Sequence, residues 1–178
     1  IKVTLNVQDG EVNVAMREAD CAIQVHETNA PDVVQRKITT IHNDLYASND
    51  YLRKHGIPRR VEDLYEHQLI TFGSEFRAPY SQVDWILKVG GKNRAALHSS
   101  FKVNSLFGML RAVEQGMGIA GLPDYMVHTA RNVSPVLPKV QGPAVDTFFI
   151  FGTELRNSKR ITVFRDFLLR KFAAAKEF

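Results

Sequence analysis

Residues 105–123, SLFGMLRAVEQGMGIAGLP, constrain the fold more than any other stretch. Leu106, Met109, Leu110, Val113 and Met117 recur at helical spacing and Ser105 stands at the N-cap position, so a helix is predicted. The apolar run IAGL follows and is closed by Pro123, the pattern of a buried strand entering a turn. Gly116, Gly118 and Gly121 have the G-x-G-x-x-G spacing of a dinucleotide cradle, but that cradle needs a strand before the glycines and a helix after them. Here the order is helix, glycine, strand, which argues against a nucleotide site. Gly116 instead reads as the left-handed residue ending the helix, with Gly118 and Gly121 permitting close packing.

The rest of the chain alternates in the same way. IKVTLNV alternates Val3, Leu5 and Val7 as a strand would, and Asp9-Gly10 is expected to turn into a short helix through Met16. A chain opening directly in a strand suggests a fragment. DCAIQV reads as a buried strand, VVQRKITTIHNDLYAS as extended structure rich in β-branched residues, and NDYLRKHG as a helical turn closed by Gly56. A short helix around Val61 to Tyr65 and a strand over 68–72 come next, then a loop over 73–80. VDWILKV and LHSSFKV flank GGKNRAA and predict an antiparallel hairpin or meander, with Trp85 packed against a core. DYMVHTA reads as a short helix, TFFIF as a strand, and the chain closes on a helix from Ser158 with Ile161, Phe164, Leu168 and Phe172 on one stripe. Strands alternating with helices imply an α/β fold with largely parallel sheets.

Composition narrows the function. At 178 residues and 44% hydrophobic content, the chain can bury a real core as one unit or two small lobes. No apolar run approaches a membrane span and no signal segment opens the chain, so a soluble cytoplasmic protein is expected. Cys21, the single cysteine, reads as a small core residue. The charge of +4, from 23 basic and 19 acidic residues, is scattered among acids and apolar residues, which disfavours direct nucleic-acid binding by this chain. His26, His42, His55, His67, His98 and His128 show no metal-ligand spacing, HExxH and CxxC are absent, and Ser74 in TFGSE lacks the G-x-S-x-G elbow. Pairs such as Glu62 with Asp63 read as solvated surface and caps. No catalytic cluster or metal site is apparent.

Four segments in order carry a family pattern. EADCAIQV, YASNDYLRKHGIPRRVEDLYEHQLI, KVNSLFGMLRAVEQGMGIAGLPDYMV and RNSKRITVFRDFL together resemble the effector-binding domain of LysR-type transcriptional regulators, over nearly the whole chain. The resemblance implies a two-lobed type 2 periplasmic-binding-protein-like α/β fold, each lobe a mixed, mostly parallel sheet flanked by helices. Lobe I would comprise residues 1–45 and 147–178, lobe II residues 46–146, with crossings near Leu45 to Ala47 and Thr147 to Phe149. The winged helix-turn-helix domain, linker helix, and first strand and helix of the regulatory domain are not in this sequence, so the chain is expected to be an effector domain clipped at its N-terminus.

The implied function is binding of a small-molecule effector, such as a carboxylate, between the two lobes, in a homodimer or higher oligomer. DNA would be reached only through the missing N-terminal domain, and no cofactor, catalysis or membrane is implied. In open α/β sheets ligands sit at the carboxyl ends of strands, near helix N-termini. That position selects Gln24 and His26, Ser48 and Asn49, Asn104 and Ser105, Pro123 and Asp124, and Phe149 on the return crossing. Capping explains Ser48, Asn104 and Ser105 as well as ligand contact does, Asp124 could cap the next helix, His26 could be solvated, and Phe149 could simply fill the hinge. A transport-type solute-binding protein shares the fold and is the main competing reading; an enzyme of unknown type and a purely structural dimerisation domain follow.

Overall fold

The opening segment Ile1–Val7 carries no regular secondary structure in the computed structural model, which describes residues 1–7, 12–73, 75, 78–90 and 97–175. The strand expected there is therefore corrected: Val3, Leu5 and Val7 are exposed and, among the described residues, pair with no strand. Alternation alone cannot make a strand, whose backbone groups need a neighbour to bond. The Asp9-Gly10 turn lies outside the described residues. In place of a helix through Met16 there is a turn, held by Arg17 N–H donating to the Val14 carbonyl and Met16 N–H to Asn13 Oδ1.

The chain then runs β1 (Ala22–Gln24), β2 (Val33–Ile41), β3 (Asn43–Ser48), α1 (Asn49–His55), a 3-10 turn (Val61–Glu66) and β4 (Leu69–Thr71). A second 3-10 turn (Trp85–Lys88) precedes β5 (Phe101–Lys102), α2 (Leu106–Glu114), β6 (Ile119–Pro123), α3 (Asp124–Val127), β7 (Val133–Val136), β8 (Val145–Gly152) and α4 (Lys159–Ala175). The hairpin expected around GGKNRAA is a correction. Residues 91–96 lie outside the described residues, while Trp85 and Ile86 are both buried, which a half-buried strand would not allow. Bonds from Leu87 N–H to Asp84 O and Val89 N–H to Ile86 O wind that segment into a 3-10 turn.

Two compact units result: Ile1–Thr40 with Val145–Phe178, called unit 1, and Ile41–Ala144, called unit 2. Unit 1 holds a three-stranded sheet in the order β1-β8-β2, with β1 antiparallel to β8. Phe149 and Phe151 of β8 pack with Ile161 of α4, and Phe164 and Leu168 cover them, so three residues of the predicted stripe face this core, while half-buried Phe172 stands outside it.

Unit 2 holds a five-stranded sheet in the order β5-β4-β6-β3-β7. Alternate residues feed two separate cores: Leu45, Ala47, Leu69 and Ile119 join Tyr51 of α1 and Trp85 on one face, while Tyr46, Ile70, Ala120 and Leu122 join Met109 and Val113 of α2 on the other. Burial on both faces explains why IAGLP and LIT are continuously apolar rather than alternating. The strands are less parallel than alternation predicts. β4 runs parallel to β5 and β6, but β3 is antiparallel to both β6 and β7.

The joint that opened the sequence analysis forms as predicted. Ser105 Oγ accepts from Gly108 N–H at 3.2 Å, capping α2. At the other end Gly116 takes φ 73°, its N–H donates to the Val113 carbonyl and Met117 N–H to the Ala112 carbonyl, the paired bonds of a Schellman motif. A Cβ on Gly118 would collide with the Gln68 carbonyl oxygen, and one on Gly121 would stand 2.5 Å from Trp85 Nε1.

Candidate functional site

The parallel strands β4, β5 and β6 end along one edge of the unit 2 sheet, where β3 begins. Asn43 pairs with Pro123, Leu69 with Ile119 and Thr71 with Lys102. Carrying these registers forward brings Gly73 and Asn104 to the level of Pro123 and Asn43, so four strands present their ends together. Ser105 and α2 start from this edge, and Asp124 begins α3 there, its N–H donating to the His42 carbonyl at 2.9 Å.

The edge is held by a polar network that the sequence reading did not single out. Asp84 accepts from the N–H groups of Phe72 and Gly73 at 2.6 and 2.9 Å, so its carboxylate fixes the turn that ends β4. Asn43, 1% exposed, donates through Nδ2 to the Pro143 carbonyl and accepts from Tyr80 Oη, each at 2.9 Å. Burial, with Tyr125 and Asp84 nearby, pushes the Tyr80 phenol well above the usual tyrosine range. Tyr46 is pushed up to about 12 by burial first and then by Asp44 and Asp124. Both phenols therefore stay protonated at neutral pH, and Tyr80 spends its single O–H on Asn43. No spacing in the sequence links Asn43, Tyr80 and Asp84, because the loop that joins them has no periodicity.

Of the residues selected from sequence, Asn104, Ser105, Pro123 and Asp124 meet at this edge. Asn104 is exposed, Ser105 is committed to its cap, Pro123 is buried, and Asp124 Oδ1 accepts from Tyr125 N–H. Ser48 and Asn49 stand elsewhere. Ser48 pairs with Val133 at the far end of β3, about 17 Å along the strand from Asn43 at some 3.3 Å per residue. It is fully buried and caps α1 by accepting from Tyr51 N–H at 3.2 Å, while Asn49 accepts from Ser134 Oγ at 2.7 Å. These two are structural in unit 2 because β3 runs antiparallel to β6, so the carboxyl end of one lies beside the amino end of the other.

In unit 1, Gln24 Nε2 donates to the His26 carbonyl at 2.9 Å, closing the turn after β1, and His26 is half-buried. Phe149, 1% exposed, packs against Phe151 and Phe164 with ring centroids 5.8 and 6.3 Å away. It is a core side chain. Among the described residues no cluster of three or more His, Cys, Asp or Glu could hold a metal ion, and no helix is long and apolar enough to cross a membrane.

The family model for the LysR substrate binding domain matches residues 1–173. The chain belongs to that family. As a LysR substrate-binding domain it is 26% identical over 175 residues to the HTH-type transcriptional regulator CrgA of Neisseria meningitidis serogroup C (strain 8013), covering 96% of this chain and 57% of CrgA. An uncharacterized HTH-type transcriptional regulator of Haemophilus influenzae is 27% identical over 131 residues, covering 73% of this chain and 44% of the relative. The domain thus spans about half the length of the curated relatives it matches. Among solved structures, the regulatory domain of Neisseria meningitidis CrgA, a LysR-type transcriptional regulator, superposes with a TM-score of 0.72 at 19% identity over 93% of this chain and 81% of that one. The effector domain of Pseudomonas aeruginosa AmpR gives 0.69 at 16% identity over 94% and 79%. The LysR substrate-binding domain described here therefore has the type 2 periplasmic-binding-protein-like fold.

Proposed function

We propose that this domain senses a small-molecule effector for a LysR-type transcriptional regulator, without catalysis of its own. The family match over residues 1–173 carries the reading. In the full-length protein an HTH domain would engage DNA, in the cytoplasm and as a homodimer or higher oligomer, and effector binding would change that engagement. The energetic requirement is differential affinity of the effector for two states of the regulator.

Within unit 2, the edge where β4, β5 and β6 end is the proposed effector surface. Asn104 is exposed there, and the N-terminus of α2 directs N–H groups and the positive end of its dipole toward an anion. A small carboxylate fits that chemistry. Gln24 and His26 of unit 1 remain proposed contacts. Ser48 and Phe149 are engaged in a cap and in the core, and Asn49 with Ser134, so none of the three is proposed as a contact on this edge.

Thermal unfolding against small carboxylates, amino acids and aromatic acids tests the reading. A ligand at 100 times its dissociation constant adds about 2.7 kcal/mol to stability. The expected result is a shift from one class of acid that disappears in Asn104→Ala. A panel with no active compound, or a shift indifferent to Asn104→Ala, would count against this edge as the effector surface.

A further inference from the structure

On the β7 flank of unit 2 lies a pocket of about 600 Å³, whose described lining residues all belong to that unit. Its volume falls within the range of small-ligand sites, roughly 300–1,000 Å³. Val89, Leu137 and Val140 give it an apolar wall, and Arg59, Arg60 and Lys139 bring three cations to it. We propose that this pocket is a second ligand site, separate from the strand-end edge, that takes a small carboxylate with an aromatic or branched aliphatic body.

Three observations support that assignment. The wall is rigid: Leu137 is itself part of the core around Trp85, and Val89 and Val140 pack directly on it. Leu137 also sits at φ 49°, a left-handed conformation that a branched side chain resists, and the turn is held by Val140 N–H donating to the Leu137 carbonyl at 2.8 Å. The cationic side is pinned as well. Asp63 accepts from the N–H groups of Arg59 and Arg60, at 2.8 and 3.2 Å, and from Arg60 Nε at 3.0 Å. One carboxylate thus holds the backbone of two consecutive arginines and neutralises the Arg60 guanidinium.

Charge selects the ligand. With Arg60 balanced by Asp63, Arg59 and Lys139 face one acid among the described lining residues, Glu62, so the cations outnumber the acids by one. The remaining balance is cationic, and it suits one carboxylate. An amine would meet like charge, and a neutral alcohol would bind the wall but leave the cations unanswered.

The probe is benzoate, titrated into isotopically labelled chain and followed by amide chemical shifts, with benzyl alcohol and benzylamine as isosteric controls. Saturable shifts at Val89, Leu137 and Val140 are expected, with at least about tenfold weaker binding of both controls. Arg59→Glu with Lys139→Glu should abolish benzoate binding, and the milder Lys139→Gln should weaken it; all of these positions are exposed, so the rest of the spectrum should be retained. Absence of saturable shifts at these amides, equal binding of the three probes, or undiminished binding to the double variant would each overturn the proposal. Benzoate binding that is lost in Asn104→Ala but kept in the double variant would assign it to the strand-end edge and overturn the second site alone.

Discussion

Tyr80 Oη donates to Asn43 Oδ1 at 2.9 Å, joining the loop after β4 to the first residue of β3. Asn43 passes the link on to the Pro143 carbonyl, so one buried amide ties three separate segments. Asn43→Ala strands two partners in a buried setting and should cost about 1–3 kcal/mol. Tyr80→Phe removes only one donor and should cost about 1 kcal/mol. Urea unfolding of both single variants and the double variant should show coupling of at least about 0.5 kcal/mol; additive losses would mean the two side chains act independently.

The glycines of IAGLP and GMG predict two different kinds of failure. Gly121→Ala drives a methyl into the Trp85 indole and should destabilise by about 1–3 kcal/mol, with much of the loss recovered by Trp85→Phe. Gly118→Ala meets the Gln68 main-chain carbonyl, which no side-chain change can move away. Denaturation midpoints of the pairs decide the matter: rescue of Gly118→Ala by Trp85→Phe would contradict this account.

Ser105 and Asn104 should separate stability from recognition. Ser105→Ala removes the cap on Gly108 N–H and should cost about 1 kcal/mol, whereas Ser105→Gly should cost only a few tenths. Exposed Asn104→Ala should change stability by no more than about 0.5 kcal/mol. Thermal denaturation in buffer alone measures both, before any effector is added.

His67 makes unit 2 sensitive to acid. Its pKa is held below the usual histidine value, chiefly by burial and then by His55, so the native state disfavours the charged ring. Stability from this residue is therefore full above the ordinary value of 6.5 and is lost as pH falls through the lower native value. Tyr51 Oη lies 3.1 Å from His67 Nδ1 and also accepts from Gln68 N–H, so charging the ring disturbs the contact between α1 and β4. His67→Gln should flatten the fall in stability as pH drops below the ordinary histidine value of 6.5, relative to the native chain. Parallel pH curves for the two proteins would show that other groups carry the loss.

The helix-to-strand joint, both serine caps and the inward stripe of α4 were legible because each is a local device: a capping side chain, a left-handed glycine, a period of 3.6. Trp85 was rightly placed in a core, yet its segment was not a strand, since the alternation of Val83, Trp85, Leu87 and Val89 hides the burial of Ile86. The division of the predicted ligand residues was not legible. Ser48 and Pro123 each end a strand, and only the antiparallel register of β3 with β6 sets them at opposite ends of the sheet. Register depends on partners distant in sequence, and Asp84 and Asn43 were missed for the same reason.

Unit 1 is built from the two ends of the chain, and its middle strand, β8, comes from residues 145–152. During synthesis on the ribosome, residues 22–41, which hold β1 and β2, emerge before β8, the central strand of their sheet. Residues 41–144, continuous and already supplied with both of their cores, can fold while translation proceeds. β1 and β2 thus lack their β8 partner until residues 145–152 have been made, which leaves strand edges open to wrong pairing in the meantime.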